Sequence, residues 1–393
     1  MTTRIVLATA VILALLAGNA WLHHALLTSR APIIVWDFHP RWTAVREMFH
    51  RGANPYSDEV TETIQRQMLG HRVQAGSDQN AFAYPLHVVA LIGPLTLLPL
   101  PVAQAVWFSL LEASLLALTV VAPRAVGWRP STWLLGLTAL FTVFFYSTVW
   151  AVILGQVAIL VTAFIALAWL SLRGSRWALT GILLALATVK PQLSFLFVPG
   201  VLLWAALSRH WRLILAFAGA LTLLCLLPSL WIPTWPAAWL QAVADYNSYT
   251  PFDPPLVGLT GAYWPTLVVA GVLLVWVARS WRSVPRPHEP IFHWGLSMLL
   301  VVGALTAPRS SHVNHLVLLL PLFVVMKQTS SRGLIVGIEL ALLAVPWLMD
   351  MLLAPPLGTM EHTLWQHRYI APILPLGLTV ALVALGARLR PNS

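Results

Sequence analysis

Charge is what this chain has least of. Only 9% of its 393 residues are Asp, Glu, Lys or Arg, against about a quarter in soluble domains. With 59% of residues apolar, water cannot be the main solvent, and the composition predicts a polytopic membrane protein. Cysteine is almost absent: Cys225 stands alone in an apolar run, which excludes an intramolecular disulfide and a cysteine-rich metal site. Acids are scarcer than bases, 13 against 23, for a net charge of +10. A basic excess suits nucleic acid when it is gathered, but here it is spread over short loops, as the positive-inside bias requires. The expected partner is therefore the lipid bilayer and not nucleic acid. Tandem repeats at solenoid periods are lacking, and so is a second half mirroring the first, a feature of many transporters.

Apolar runs are what remains. At ~20 residues per crossing of a ~30 Å hydrocarbon core, there is room for about ten to thirteen helices and little else. Residues 5–26 follow Arg4 and lack a small-residue cleavage site before His23 and His24, so they read as a retained first helix. The longest polar stretch, 28–82, carries six arginines and six acids together with Gly52, Asn54 and Pro55. The expected fold is all-α integral membrane: a single domain over 1–393 with about 12 transmembrane helices. The first spans 5–26, and a first outer loop bearing juxtamembrane helices follows over 28–100. Helices two to seven fall within 102–230, an outer loop occupies 231–262, and helices eight to twelve fall within 263–388. Residues 84–98, interrupted by Pro94 and followed by Pro99, are expected along the interface. That frame puts fourteen Lys and Arg on inner short loops and nine outside, six of them in the long first loop, where the charge rule is weak. A full crossing by 84–98 would invert the bias. Both termini are expected inside, in a plasma (inner) membrane.

Depth adds a constraint. The run from Trp177 to Leu207 is bounded by arginines, yet Lys190-Pro191-Gln192 interrupts its middle. Two arms of about fourteen to sixteen residues are each shorter than a ~20-residue span, which sets Lys190 below the outer surface. The run 291–326 repeats the pattern, with Arg309, His312, Asn314 and His315 at its tip. Charges at that depth cost several kcal/mol unless they face a wet cavity or a partner, so both tips are expected to line a pocket opening outward.

The candidate chemistry begins at Trp36-Asp37-Phe38-His39-Pro40-Arg41-Trp42. A carboxylate at a helix mouth, with His and Arg at +2 and +4, can be held ionised and act as a general base toward a hydroxyl. Asp is equally a routine helix N-cap, and the motif alone leaves both readings open. Arg51-Gly52-Ala53-Asn54-Pro55-Tyr56 is a turn by composition, and Phe82-Ala83-Tyr84-Pro85-Leu86-His87 an aromatic interface anchor.

The order of these features resembles the GT-C glycosyltransferases, and more narrowly glycosyltransferase family 87. An outer Asp follows a membrane helix, then a Gly-x-Asn-Pro-Tyr turn, then Tyr84-Pro85 leading an apolar segment with Pro94, Leu98-Pro99 and Trp107. Gly155-Gln156 and the Lys190-Pro191 break also fit. Where the family often has Tyr-Pro-Pro, Leu86 follows Tyr84-Pro85 here. The resemblance implies a GT-C-type bundle and a polyprenyl-phosphate sugar, mannose above all, as donor. The acceptor is a hydroxyl of a glycolipid or glycan, and the active site faces the periplasmic or extracellular side. It makes Asp37 the general base of an inverting transfer. Substrate-binding candidates are His39, Arg41, Asn54, Tyr56, Tyr84, His87 and Gln156.

A phosphate leaving group mainly needs cations or donors against developing negative charge. Lys190, Gln192, Arg309, His312 and His315 are the candidates for holding the donor phosphate. The spacing of His312 and His315 is compatible with a metal. No nearby carboxylate completes a ligand set, and a single phosphate needs no metal bridge, so no metal or cofactor is expected; the lipid donor is a substrate. Glu112 and Glu339, inside expected helices, motivate the alternative of a lipid-linked-sugar flippase or secondary transporter without covalent chemistry. Asp245, Asp253, Asp350 and Glu361 are expected as solvated charges on outer loops, with His362, His367 and Arg368 as polar residues of the last one.

Overall fold

The computed structural model describes residues 17–21, 23, 37–74, 76–250, 253–308, 311–357 and 359–389. Most of the expected first helix, and Arg309 among the phosphate candidates, lie outside them. Among the described residues every regular element is helical. Among the described residues five helices are long and apolar enough to cross a bilayer: Leu100–Val126, Trp211–Ser229, Tyr263–Ser280, Arg332–Leu353 and Met360–Arg388. Thr132–Phe144 and Tyr146–Ile153, bent by 48°, make a sixth if taken as one broken span. Against the expected 12 crossings, the described residues thus show five or six full spans plus shorter apolar helices.

Their surfaces identify the solvent. Only 11%, 22% and 17% of the apolar windows of Trp211–Ser229, Tyr263–Ser280 and Arg332–Leu353 are buried by protein. Leu215, Leu223, Val272 and Leu353 are all exposed. A continuous apolar surface of this kind is stable only against lipid.

The chain packs as two compact units, one of residues 1–114, 152–157 and 222–251, the other of residues 115–151, 158–221 and 252–393. In the first, the helices Phe38–Arg51 and Asp58–Leu69 occupy the stretch expected as the first outer loop. Ser57 caps the second of them by accepting from Val60 N–H at 3.3 Å. Both helices end on a left-handed glycine, Gly52 and Gly70. Leu86–Leu97 follows as 3₁₀, α and 3₁₀ turns in succession. At about 1.5–2 Å rise per residue these twelve residues fall short of a ~30 Å core and do not span it. Trp42 fixes this segment by donating Nε1–H to Leu95 O at 3.0 Å.

In the second unit, several loops that carry basic residues meet at one end. Arg173 donates to Arg124 O, and Lys327 Nζ donates to Val126 O at 3.1 Å. These cations sit on the last carbonyls of Leu100–Val126, where a helix dipole favours positive charge. Trp177 stacks on His210 at 3.8 Å, and Trp204 donates to Pro285 O at 2.9 Å. Because Trp177 and Trp204 also lie 6.2 Å apart, the arms Trp177–Ala187 and Phe197–Leu207 start and finish at the same basic end. Each arm has 11 residues, or ~16 Å of helix, so the tip bearing Lys190 reaches about half the depth of a ~30 Å core. Gly181 allows the first arm to touch the next helix, since a Cβ there would meet Phe217 N at 2.7 Å.

Candidate active site

Asp37 stands at the N-cap position of Phe38–Arg51, but its backbone is α-helical (φ −94°, ψ −24°) and its side chain makes no capping bond. The capping alternative therefore fails. The carboxylate instead accepts from Arg41 Nη2 at 3.1 Å through Oδ1, and from Gln156 Nε2 through Oδ2. Its side chain remains 25% exposed, while that of Arg41 is 7% exposed. One oxygen is oriented by a neighbour one turn along the helix and the other by a residue 119 positions away.

The turn that delivers Gln156 is built for that contact. Gly155 takes φ +67°, a left-handed conformation that glycine adopts without a Cβ penalty. Its carbonyl accepts Trp107 Nε1–H at 2.8 Å, and Leu154 O accepts the Asp37 amide at 3.1 Å. Trp107 in turn stacks on Phe38 at 5.2 Å. The first residues of the juxtamembrane helix and the 154–156 turn are thus held to each other through backbone and a buried indole.

The two turn motifs form a scaffold beside the carboxylate. Asn54 Oδ1 accepts from the Tyr56 amide at 3.1 Å, an Asx turn, and Tyr56 OH donates to Tyr84 O at 2.7 Å. Tyr84 then lies under the Arg41 guanidinium, 3.9 Å from ring centroid to Cζ. Burial, opposed by Arg41, pushes the Tyr84 phenol up to about 12, so it stays a protonated donor at neutral pH. Burial works against the Arg41 charge, but Tyr84 and Asp37 outweigh it and its pKa is raised. Arg41 Nε and Nη1 are buried, with no further hydrogen-bond partner among the described residues. His39 turns elsewhere: it shares Gln67 Oε1 with Thr43, at 3.1 and 2.9 Å, and joins the two juxtamembrane helices. Burial lowers its pKa, which keeps it neutral. His87 is buried with its ring edge-on to Trp235.

Two residues here escaped sequence reasoning. The carboxyl of Asp78 is pushed up, first by burial and further by the charge of Asp37, against the lowering effect of the Asn80 N–H. The phenol of Tyr246 is raised by burial, then by Asp78, Asp37 and Tyr84. Both lie within electrostatic reach of Asp37. Their only local signals were a turn-forming Asp and one aromatic among several in the loop, neither of which points to position 37.

The second unit holds the other candidates. Lys190 is buried at the tip between the two arms, with Gln192 half-buried in the short helix Pro191–Ser194 that follows it. His312 and His315 start the 3₁₀ turn His312–Leu318 and line a cavity of about 20 Å³ with Tyr146 and Ser147, room for roughly one water. Their Nε2 atoms and Asn314 Oδ1 have no partner among the described residues. Beside them, Tyr146 OH accepts from Gln366 at 2.6 Å, and His362 Nε2 meets Asp350 Oδ1 at 3.0 Å. This corrects the expectation for Asp350: it lies in the last turn of Arg332–Leu353 with its side chain 10% exposed, not on a solvated loop. Glu361 and Asp253 are exposed as expected. Glu112 accepts from Asn19 at 2.5 Å and contacts His23 at 3.0 Å, and Glu339 accepts from Thr138 at 2.7 Å. Both acids are thus held by neighbours. No group of three or more His, Cys, Asp or Glu among the described residues is arranged to hold a metal.

Comparison with curated proteins and with solved structures returned no match. The family model of glycosyltransferase family 87 matches residues 82–308, more than half of the chain, including Tyr84, His87, Gln156 and Lys190. With apolar helices fit to span a bilayer and that match, the chain belongs to glycosyltransferase family 87 and is a membrane glycosyltransferase.

Proposed function

We propose that this enzyme transfers a sugar, mannose by family resemblance, from a polyprenyl-phosphate donor to a hydroxyl of a glycolipid or glycan. The site faces the periplasmic or extracellular side of the plasma (inner) membrane, an orientation supported by the excess of Lys and Arg in the short loops that the sequence assigns to the inner side. The observation that carries the reading is the Asp37 carboxylate: free of capping, a quarter exposed, and oriented at both oxygens by Arg41 and Gln156.

Asp37 takes the proton of the acceptor hydroxyl as that oxygen attacks the anomeric carbon. The bond from C1 to the phosphate oxygen breaks, its electron pair leaves with polyprenyl phosphate, and the anomeric centre inverts. Arg41, Tyr84 and Gln156 bind on the acceptor side, with Asp78 and Tyr246 within reach. Lys190, Arg309, His312, His315 and Gln192 serve the donor phosphate. A monophosphate ester is a good leaving group once its charge is met by fixed donors, so the reading assigns no metal or cofactor.

The test is transfer of labelled mannose from a synthetic polyprenyl-phosphate donor into lipid and glycan extracts. Asp37→Ala and Asp37→Asn should lose about 10²–10⁴ in rate, the usual worth of a general base, while melting at the wild-type temperature. Turnover retained in either variant removes Asp37 from the chemistry.

A further inference from the structure

The hairpin of Ala158–Arg173 and Trp177–Ala187 has no part in that reaction, yet it carries a groove of about 340 Å³. That is the small end of ligand pockets, roughly 300–1,000 Å³. Leu167, Leu170, Leu179 and Leu183 make its apolar floor and walls, with Ser171 and Arg176 beside them. Arg176 is exposed, and its guanidinium has no hydrogen bond, ion pair or ring contact among the described residues. Its neighbour Arg173 is already engaged on Arg124 O. The helix that starts after Arg176 has no side-chain cap, so its first amides add to the positive character of the groove mouth.

We propose that this groove is a binding site for one anionic glycerophospholipid, with an acyl chain along the leucines and the phosphate headgroup on Arg176. In a bilayer the leucine surface discriminates nothing, because lipid tails are as apolar as leucine. Selectivity must come from the mouth, and among the described residues the one side chain of fixed charge lining the groove is a cation, Arg176. The basic end of the unit, where this turn lies with Arg124 and Lys327, is the end that faces anionic headgroups when positive loops are cytoplasmic. The site is independent of the transferase reading and can stand or fall without it.

The experiment uses the full chain, purified in detergent and analysed by native mass spectrometry with phosphatidylglycerol and phosphatidylcholine of identical acyl chains. The wild type should retain phosphatidylglycerol about fivefold over phosphatidylcholine, matching the ~1 kcal/mol that one Lys or Arg near a membrane surface contributes. Arg176→Gln should bring that ratio close to one. Arg129→Gln, at a basic residue that does not line the groove, should leave it unchanged, and Leu183→Trp should lower retention of both lipids by filling the floor. Excess inorganic phosphate should not displace the lipid. The proposal is overturned by an equal wild-type preference for the two lipids, by a ratio that survives Arg176→Gln, by an equal loss in Arg129→Gln, or by displacement with phosphate alone. Arg176 is exposed, so its replacement leaves the fold intact and the decisive comparison does not depend on the core variant.

Discussion

Replacing Gln156 by Glu puts a second carboxyl against Asp37 and turns the hydrogen bond between them into a pH-dependent contact. Two carboxylates about 4 Å apart repel by ~4 kcal/mol at an effective dielectric constant of ~20, equivalent to ~3 pH units at 1.36 kcal/mol per unit. Asp37 is 25% exposed, and water screening reduces this to ~1–2 units. Starting from the ordinary glutamate value of ~4.3, the pair in Gln156→Glu should hold one shared proton up to about pH 5.3–6.3. Below that, the protonated new carboxyl donates to Asp37 as the native amide does. Above it, two like charges face each other and the base is displaced from the acceptor. Sugar transfer by purified protein, with membranes from expressing cells as acceptor source, should therefore be close to wild type near about pH 5. It should fall at least about tenfold by about pH 8. Gln156→Leu, which merely removes a charge-assisted bond of ~1.5 kcal/mol or more, should lose about tenfold at every pH. A Gln156→Glu profile parallel to the wild type refutes the contact and the role drawn from it.

Tyr56→Phe removes the 2.7 Å bond to Tyr84 O; a loss of ~1 kcal/mol in stability, read by thermal melting, should accompany reduced transfer as Tyr84 loses its seat under Arg41. Gly181→Ala drives a Cβ into the backbone of the neighbouring helix at Leu213 and Phe217, and should cost ~2–3 kcal/mol or more, seen as a large drop in melting temperature. Lys190→Gln and His315→Leu should each raise the apparent KM for the lipid donor by about tenfold. An unchanged donor KM in both removes the second unit's tips from the phosphate site.

What the sequence revealed follows the range of the forces involved. Hydropathy marked the long apolar helices, and Pro191 marked the break beside Lys190, because these signals are local; the helix Trp235–Tyr249 was not legible inside the stretch expected as an outer loop. The break at Phe145 was hidden, since no proline or glycine marks it and only the extended ψ of 135° there shows the chain turning. Asp37 was legible as a candidate, but whether it caps a helix or faces a substrate depended on Gln156, a contact across 119 residues. Asp350 was misjudged because the helix runs on to Leu353 and folds His362 over it. Asp78 and Tyr246 gained meaning only when separate loops converged on one charge.

One bond near Asp37 belongs to the main chain alone: its amide donates to Leu154 O. No exchange of side chain at either position, proline at 37 excepted, can delete that link. The spacing between the entry helix and the glutamine-bearing turn is therefore insulated from ordinary sequence drift. Descendants of this chain are free to vary the surrounding side chains without misplacing the two backbone segments from which the Asp37 carboxylate and the Gln156 amide project.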